Sequence, residues 1–484
     1  MKNLISEKWF YTASALFIVL MAVSLYFEFY YIALLPIAAL MVWMSIFALD
    51  FIFFAIVFFT PLSINLEEMK LGGIGMYLPT EPLLFGVLIL FLFKLISGKS
   101  IDYRIFRHPI SYIIYAYFGW MLLTTITSEM PLVSFKFVIA RMWFVAAFYF
   151  IAAHLFQSID YIKKYVYLYI FPLIGVIVYT IVRHSQYGFD KVSAHWVMEP
   201  LFKDHTSYGA VLAMYFPITI GFFMLRNQSL IMRVFIGIAI IVLTTGLILS
   251  FTRAAWISVV GAVGILMLMA LGIRLRTVLI AAGFASTLLI LSWEEIQITL
   301  ESNKQESSDK LEEHVTSISN VSSDASNLER LNRWHCAIEL FKERPIVGWG
   351  PGTYQFVYAP FQRSEDRTII STNQGDGGNA HSEYLGPLAE QGVLGSLIVI
   401  ALLLAICHYG FSLYHEIADF DTRLILTGLY LGLMTYFIHG VLNNYLDTDK
   451  ASIPFWGFIA VLVAVDTYHR SPKKSGNLKS PNHQ

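Results

Sequence analysis

Long apolar runs constrain this chain more than any other feature. About fourteen windows of roughly 19 residues are apolar enough to cross a bilayer, which takes ~20 residues of helix. They fall at 10–29, 31–49, 51–64, 83–96, 110–125, 133–156, 165–182, 208–225, 234–249, 254–271, 278–293, 388–413, 424–445 and 453–467. The runs are continuously apolar rather than alternating, which excludes a β-barrel. Charge is scarce, at 14% of residues against roughly 25% in a soluble domain. The expected fold is an all-α polytopic membrane protein with about 12–14 transmembrane helices.

The first run follows Lys2 and Lys8 and lacks a small-residue cleavage site at its far end. It reads as a retained helix rather than a removed signal peptide. Basic residues then give the orientation. With the N-terminus inside, the inner loops receive Lys94, Lys99, Arg104, Arg107, Lys163, Lys164, Arg226, Arg233, Arg274, Arg276 and Arg423. The tail adds Arg470, Lys473, Lys474 and Lys479 on the same side. This positive-inside bias predicts that both termini are cytoplasmic.

One polar interval is long enough to fold in water, and it faces outward under that orientation. The expected organisation is therefore N-terminal transmembrane helices over 1–296, a lobe over 297–385, further helices over 386–468 and a basic tail over 469–484. Within the lobe, 301–327 is rich in Ser, Asn, Glu and Asp and reads as a linker. A helix follows, with Leu331, Trp334, Ile338 and Phe341 on its apolar face and Pro345 as its stop. Gly348-Trp-Gly-Pro-Gly352 reads as a turn, and 362–379 as a Gly-rich flap. Cys336 in the lobe and Cys407 deep in an apolar run are not expected to pair.

Charge inside or beside an apolar span is costly and therefore informative. Arg253 stands in the outer turn Phe251-Thr-Arg253-Ala-Ala-Trp256. It is either an interfacial arginine beside a belt tryptophan or a fork of donors for phosphate oxygens. Lys136 and Arg141 lie in the outer half of one span, with no acidic neighbour in sequence. They fit either snorkelling with a distant salt bridge or a cationic pocket for an anionic lipid headgroup. In Lys203-Asp204-His205, Asp204 is a natural helix cap, which leaves Lys203 and His205 at the outer surface.

His381, with Glu383 and Tyr384, ends the lobe just before an apolar helix. A neutral imidazole there can take a proton from a hydroxyl. Glu383 either orients it or favours the helix N-terminus. The outer side has no His-x-x-x-His, His-Glu-x-x-His or Asp-x-Asp motif, and the chain has no Walker loop or nucleotide fingerprint. No metal and no cofactor is expected. An outer-face reaction then needs a substrate that already carries a good leaving group.

Taken in order, these pieces resemble a known family. Arg330-x-x-x-Trp334, Pro345-x-x-Gly348-x-Gly350-Pro-Gly352, Ala380-His381-x-Glu383-Tyr-Leu385 and Glu390-x-Gly392-x-x-Gly395 look like the signature of the O-antigen ligase and polymerase superfamily. The Thr-Arg253-Ala-Ala-Trp turn looks like its partner motif. One departure is Ser382, where the family usually has Asn.

The resemblance implies a metal-independent, inverting glycosyltransferase of the bacterial inner membrane. Its donor would be a glycan on undecaprenyl pyrophosphate, and its acceptor lipid A–core or another lipid-linked glycan. The lipid bilayer is the expected setting, with no nucleic acid as partner. On that reading His381 deprotonates or orients the acceptor hydroxyl. Arg253 grips the diphosphate and stabilises the leaving charge. Lys136, Arg141 and Lys203 help to hold it, Arg330 braces the lobe or adds a further phosphate contact, and Glu383, Trp334 and His205 give support. Ligase and polymerase share this chemistry and differ in acceptor. A transporter or flippase is the competing class, for which inverted repeats and broken midplane helices are the expected marks.

Overall fold

The computed structural model describes residues 7–26, 49–66, 76–97, 101–292, 325–362 and 378–470. Nearly all of the expected span 31–49 lies outside the described residues. So do most of the linker 301–327, most of the flap 362–379 and the basic tail from 471 onward.

A chain in hydrocarbon must satisfy every backbone amide internally, and continuous helices do this. The apolar helices are α1 Glu7–Tyr26, α2 Leu49–Phe59, α3 Thr80–Ile96, α4 Pro109–Ile126 and α5 Pro131–Val145. α5 runs on through a π segment, Ala146–Ile151, to Ala152–Leu155. Next come α6 Ile159–Ser185, α7 His205–Phe223, α8 Leu230–Leu249, α9 Arg253–Ala270 and α10 Leu275–Leu291. The lobe contributes α11 Ala325–Glu343, and α12 Leu385–Glu416, α13 Phe420–His439 and α14 Asp449–Ala464 complete the described chain. Among the described residues, 8 helical stretches are long and apolar enough to cross a membrane. The protein is thus an all-α polytopic membrane protein, as its apolar runs imply. A two-residue antiparallel pairing joins Ile64 to Leu78 and Asn65 to Tyr77.

Local chemistry sets many helix starts. Pro109 and Pro131 occupy first-turn positions, where a missing N–H costs nothing. Asp204 caps α7 by accepting from the amides of Thr206 and Ser207, each at 2.8 Å, as its sequence position suggests. Asp419 caps α13 through the Thr422 amide at 2.8 Å.

The core is organised where α7 crosses α13. Lipid offers no hydrophobic drive between helices, so close packing must supply the attraction. A Cβ built on Gly432 would lie 2.5 Å from the Met214 carbonyl oxygen, and one on Gly428 3.0 Å from the Ile218 Cα. Only glycine admits that approach. α14 packs into the same centre, where Tyr165 donates to the Ile453 carbonyl at 3.0 Å and Tyr169 to that of Lys450 at 2.8 Å.

Two sequence expectations change here. The run 424–445 is not one helix, because α13 ends at His439 and 440–448 form a polar turn. The apolar Val441, Leu442, Tyr445 and Leu446 disguise that turn in a hydropathy window, although Gly440 and two asparagines break the helix. In α11 the expected face of Leu331, Trp334, Ile338 and Phe341 is not the buried one; Ile338 is exposed. The buried side carries Glu329, Asn332, Arg333, Cys336, Ala337 and Leu340. Arg333 and Glu329 are buried as an ion pair at 2.6 Å, which no apolar periodicity reveals.

The lobe is locked to the membrane helices by its glycine turn. Gly348, Gly350 and Gly352 all have positive φ. A Cβ on Gly348 would meet the Glu390 carbonyl carbon at 2.3 Å, and one on Gly392 the Ile346 carbonyl oxygen at 2.1 Å. The Gly350 amide donates to the Glu390 carbonyl at 2.7 Å, and the Val393 amide to that of Pro345 at 3.0 Å. Gly392, at φ 69°, breaks α12 at this joint. The α4–α5 turn completes the seat, with Arg344 paired to Glu129 at 2.7 Å. Cys336 and Cys407 are not joined in a disulfide.

Candidate functional site

His381 sits between the lobe and the C-terminal helices, and each neighbour fixes part of it. Its backbone is left-handed, with φ 48°, uncommon for a residue with a side chain. The Asn379 side chain accepts from its amide at 3.1 Å, and the Trp334 indole donates to its carbonyl at 3.3 Å. Trp334, expected as a support, therefore holds the His381 backbone directly. Ser382 accepts from the amides of Tyr384 and Leu385 at 3.3 and 3.4 Å, which starts α12. Burial, aided by the Arg330 and Arg333 cations, pushes the His381 imidazole down to about 4. The side chain of Asn443 opposes that shift. The ring is neutral at pH 7 and able to accept a proton.

Glu383 does something other than orient the imidazole. Its carboxylate accepts from the Tyr436 hydroxyl at 2.5 Å and from the amides of Tyr445 and Leu446 at 2.9 and 3.2 Å. Its own amide donates to the Gly440 carbonyl at 2.8 Å. Glu383 thus anchors the 440–448 turn. Burial pushes the Glu383 carboxyl above its ordinary range, and the Arg141 cation acts against this.

Beside these residues lies a cavity of about 660 Å³. Lys136, Arg141 and Lys203 all line it, with Glu383, Asn444 and Asp447 among its polar groups. Much of the remaining wall is apolar, including Ile113, Trp143, Val399 and Phe455. Arg141 is buried; it donates to the Leu446 carbonyl and stacks over Phe137 at 4.8 Å. Its nearby acids, Glu383 and Asp447, come from far along the chain. Lys203 is exposed.

A second group of sequence candidates gathers around Arg330 and is not part of that cavity wall. Arg330 lies within electrostatic reach of both His381 and His205. The His205 ring stacks on His195, with centroids 4.2 Å apart. The Thr252 hydroxyl donates to the His205 carbonyl at 2.8 Å. The next residue, Arg253, opens α9 just after Phe251, which is also left-handed at φ 49°. Arg253 is therefore tied to this group through its neighbour Thr252.

The sequence reading passed over the 440–448 turn, which contributes Asn443, Asn444 and Asp447. It also passed over His439 and His195. The available signal was the polar content of Asn443-Asn-Tyr-Leu-Asp-Thr-Asp-Lys450 between the last two apolar runs.

Fold and site together define a polytopic helical membrane protein with cations and a neutral imidazole collected where one lobe meets the bundle. Residues 238–400 match the family model described as O-antigen ligase. That match supports the O-antigen ligase and polymerase superfamily for this chain, a glycosyltransferase-like activity in glycan synthesis, and a multi-pass protein of the bacterial inner membrane. No curated protein matches the chain. The matched stretch includes Arg253, Arg330, Trp334, His381 and Glu383, whereas Lys136, Arg141, Lys203 and His205 lie before it.

Proposed function

We propose that this protein moves a glycan from undecaprenyl pyrophosphate to an acceptor sugar hydroxyl at the periplasmic face, as an O-antigen ligase does. The transfer is metal-independent and inverting. The observation that carries the reading is a cationic cavity with apolar walls, set against the turn that bears a neutral histidine. A lipid-linked diphosphate needs both surfaces, cations for its phosphates and hydrocarbon for its tail.

In the proposed step, His381 takes the proton of the acceptor hydroxyl as that oxygen attacks the anomeric carbon. The bond from that carbon to the phosphate oxygen breaks, and its electron pair leaves with the lipid diphosphate. Arg253 and Arg330 stabilise the departing charge, while Lys136, Arg141 and Lys203 hold the diphosphate. Glu383, His205 and Trp334 keep the geometry. Both termini lie in the cytoplasm.

The test is transfer by purified protein given lipid-linked donor and acceptor. His381→Ala and Arg253→Ala, inserted at wild-type levels, are expected to lose on the order of 10²–10³ in rate. Normal transfer by either variant removes that residue from the reaction. A deletion strain separates ligase from polymerase. Bare core with accumulated lipid-linked polymer marks a lost ligase, and core carrying a single repeat unit marks a lost polymerase.

A further inference from the structure

We propose that the cavity between the α9–α10 turn and the far end of α12 binds a phosphate group, that of an anionic lipid headgroup. This site is separate from the cavity beside His381 and does not depend on the reaction proposed there.

The cavity holds about 280 Å³, and its polar wall is Arg274, His408, Ser412 and His415, with no carboxylate. The last three recur at intervals of four and three residues, which puts them on one face of α12. Gly272, with φ 68°, turns the chain after α9, and Arg274 follows in the facing wall. Among the described residues, no side-chain hydrogen bond or ion pair engages Arg274, His408 or His415. The acid next to this face, Glu416, is already paired. Arg470 donates to its two oxygens at 2.6 and 3.0 Å, and the Ser412 hydroxyl donates to one of them at 2.8 Å. α10 begins at Leu275 in the same wall, so the positive end of its dipole adds to the field of Arg274. A guanidinium fork beside two imidazoles is a donor set that phosphate oxygens match.

The rest of the wall selects the kind of phosphate. Ile273, Leu275 and Phe411 are apolar. Leu271 at the turn, and Leu404 one turn before His408 on the same face, are exposed. His408 lies about 24 Å along α12 from the break at Gly392, at 1.5 Å per residue. That is close to the ~30 Å of a hydrocarbon core. The cavity therefore lies at the opposite edge of the bilayer from the lobe, which with the lobe outside is the cytoplasmic leaflet. A free phosphate gains nothing from apolar flanks. A lipid sets its phosphate against Arg274 and lays its chains on Leu271 and Leu404. Basic pockets between membrane helices on that side take anionic headgroups in this way. With no carboxylate to receive a choline, the cavity favours a lipid of net negative charge.

The experiment follows lipid bound to the full chain by native mass spectrometry, in detergent at physiological ionic strength. Wild type is expected to bind phosphatidylglycerol about tenfold more tightly than phosphatidylcholine. Arg274→Gln, His408→Gln and His415→Gln together should remove that preference. All three side chains are exposed, so this variant should keep the wild-type melting point without lipid. Arg276→Gln, exposed and outside the cavity wall, should change the affinity less than about twofold, because its charge is screened. Inorganic phosphate equimolar with the lipid should not displace it. An undiminished preference in the triple variant overturns the site. Equal losses in Arg276→Gln and Arg274→Gln reduce it to general surface attraction and overturn it as well. Displacement by inorganic phosphate overturns the lipid as the source of the phosphate.

Discussion

At the scale of single residues, the depressed imidazole of His381 has two consequences of opposite benefit. A base that stays neutral well below its ordinary range works over a wider span of pH. We expect kcat/KM to hold its plateau as pH falls through 6.5 and to drop only toward about 4. A limb near 6.5 in that profile would place the ring in ordinary water. The same shift costs stability in acid. Between about 6.5 and 4 the unfolded chain binds a proton at this histidine and the folded chain does not, so stability is lost as pH is lowered across that window. His381→Gln should therefore flatten the dependence of the thermal midpoint on pH there. Trp334 makes a smaller contribution. Trp334→Phe keeps an aromatic ring but removes the donor to the His381 carbonyl, at about 0.5–1.5 kcal/mol, and should slow transfer more than it lowers the melting point.

At the scale of elements, the joint between the lobe turn and α12 depends on backbone approach. Gly392→Ala would place a methyl group 2.1 Å from the Ile346 carbonyl oxygen at a left-handed position. Left-handed geometry alone costs a residue with a side chain about 1–3 kcal/mol, and the clash adds to it. A lowered melting point with lost transfer is expected, and calorimetry of the detergent-purified variant checks it. Within α11, Glu329→Ala strands Arg333 without its partner. Removing one member of a buried pair costs about 3–5 kcal/mol. Chemical denaturation should register that loss, and an unchanged midpoint would mean that the pair is solvated.

At the scale of the whole molecule, orientation is read from the loops. If the lobe is periplasmic, a single thiol on it should react from outside the cell. Lys342 is exposed on α11, so Lys342→Cys, with both native cysteines changed to alanine, should label with a membrane-impermeant maleimide in intact spheroplasts. Labelling only after lysis would invert the topology and the proposed side of the reaction. Among the described residues, the polar groups of the site come from α5, the segment leading into α7, α7 itself, the start of α9, α11, the turn before α12 and the turn after α13. Placing them together depends on the close crossing of α7 and α13 at Gly428 and Gly432.

The apolar runs alone determined the class of this protein, because bilayer thickness and the need to satisfy backbone amides leave one solution. Residue type also singled out Arg253, Lys136, Arg141, Lys203 and His381, since charge beside hydrocarbon is costly wherever it occurs. What residue type left open was who faces whom. Glu383 stands two positions from His381 in sequence, yet its carboxylate reaches across to Tyr436, Tyr445 and Leu446. Arg141 has no acid near it in sequence, but Glu383 and Asp447 lie close in space. Asn443 looked like the tail of an apolar span, and α11 buried an ion pair on the side that periodicity assigned to water. Hydropathy and spacing report one segment at a time, whereas the Glu383 and Arg141 contacts join segments tens to hundreds of residues apart. They exist only once glycine-mediated helix packing has brought those segments together.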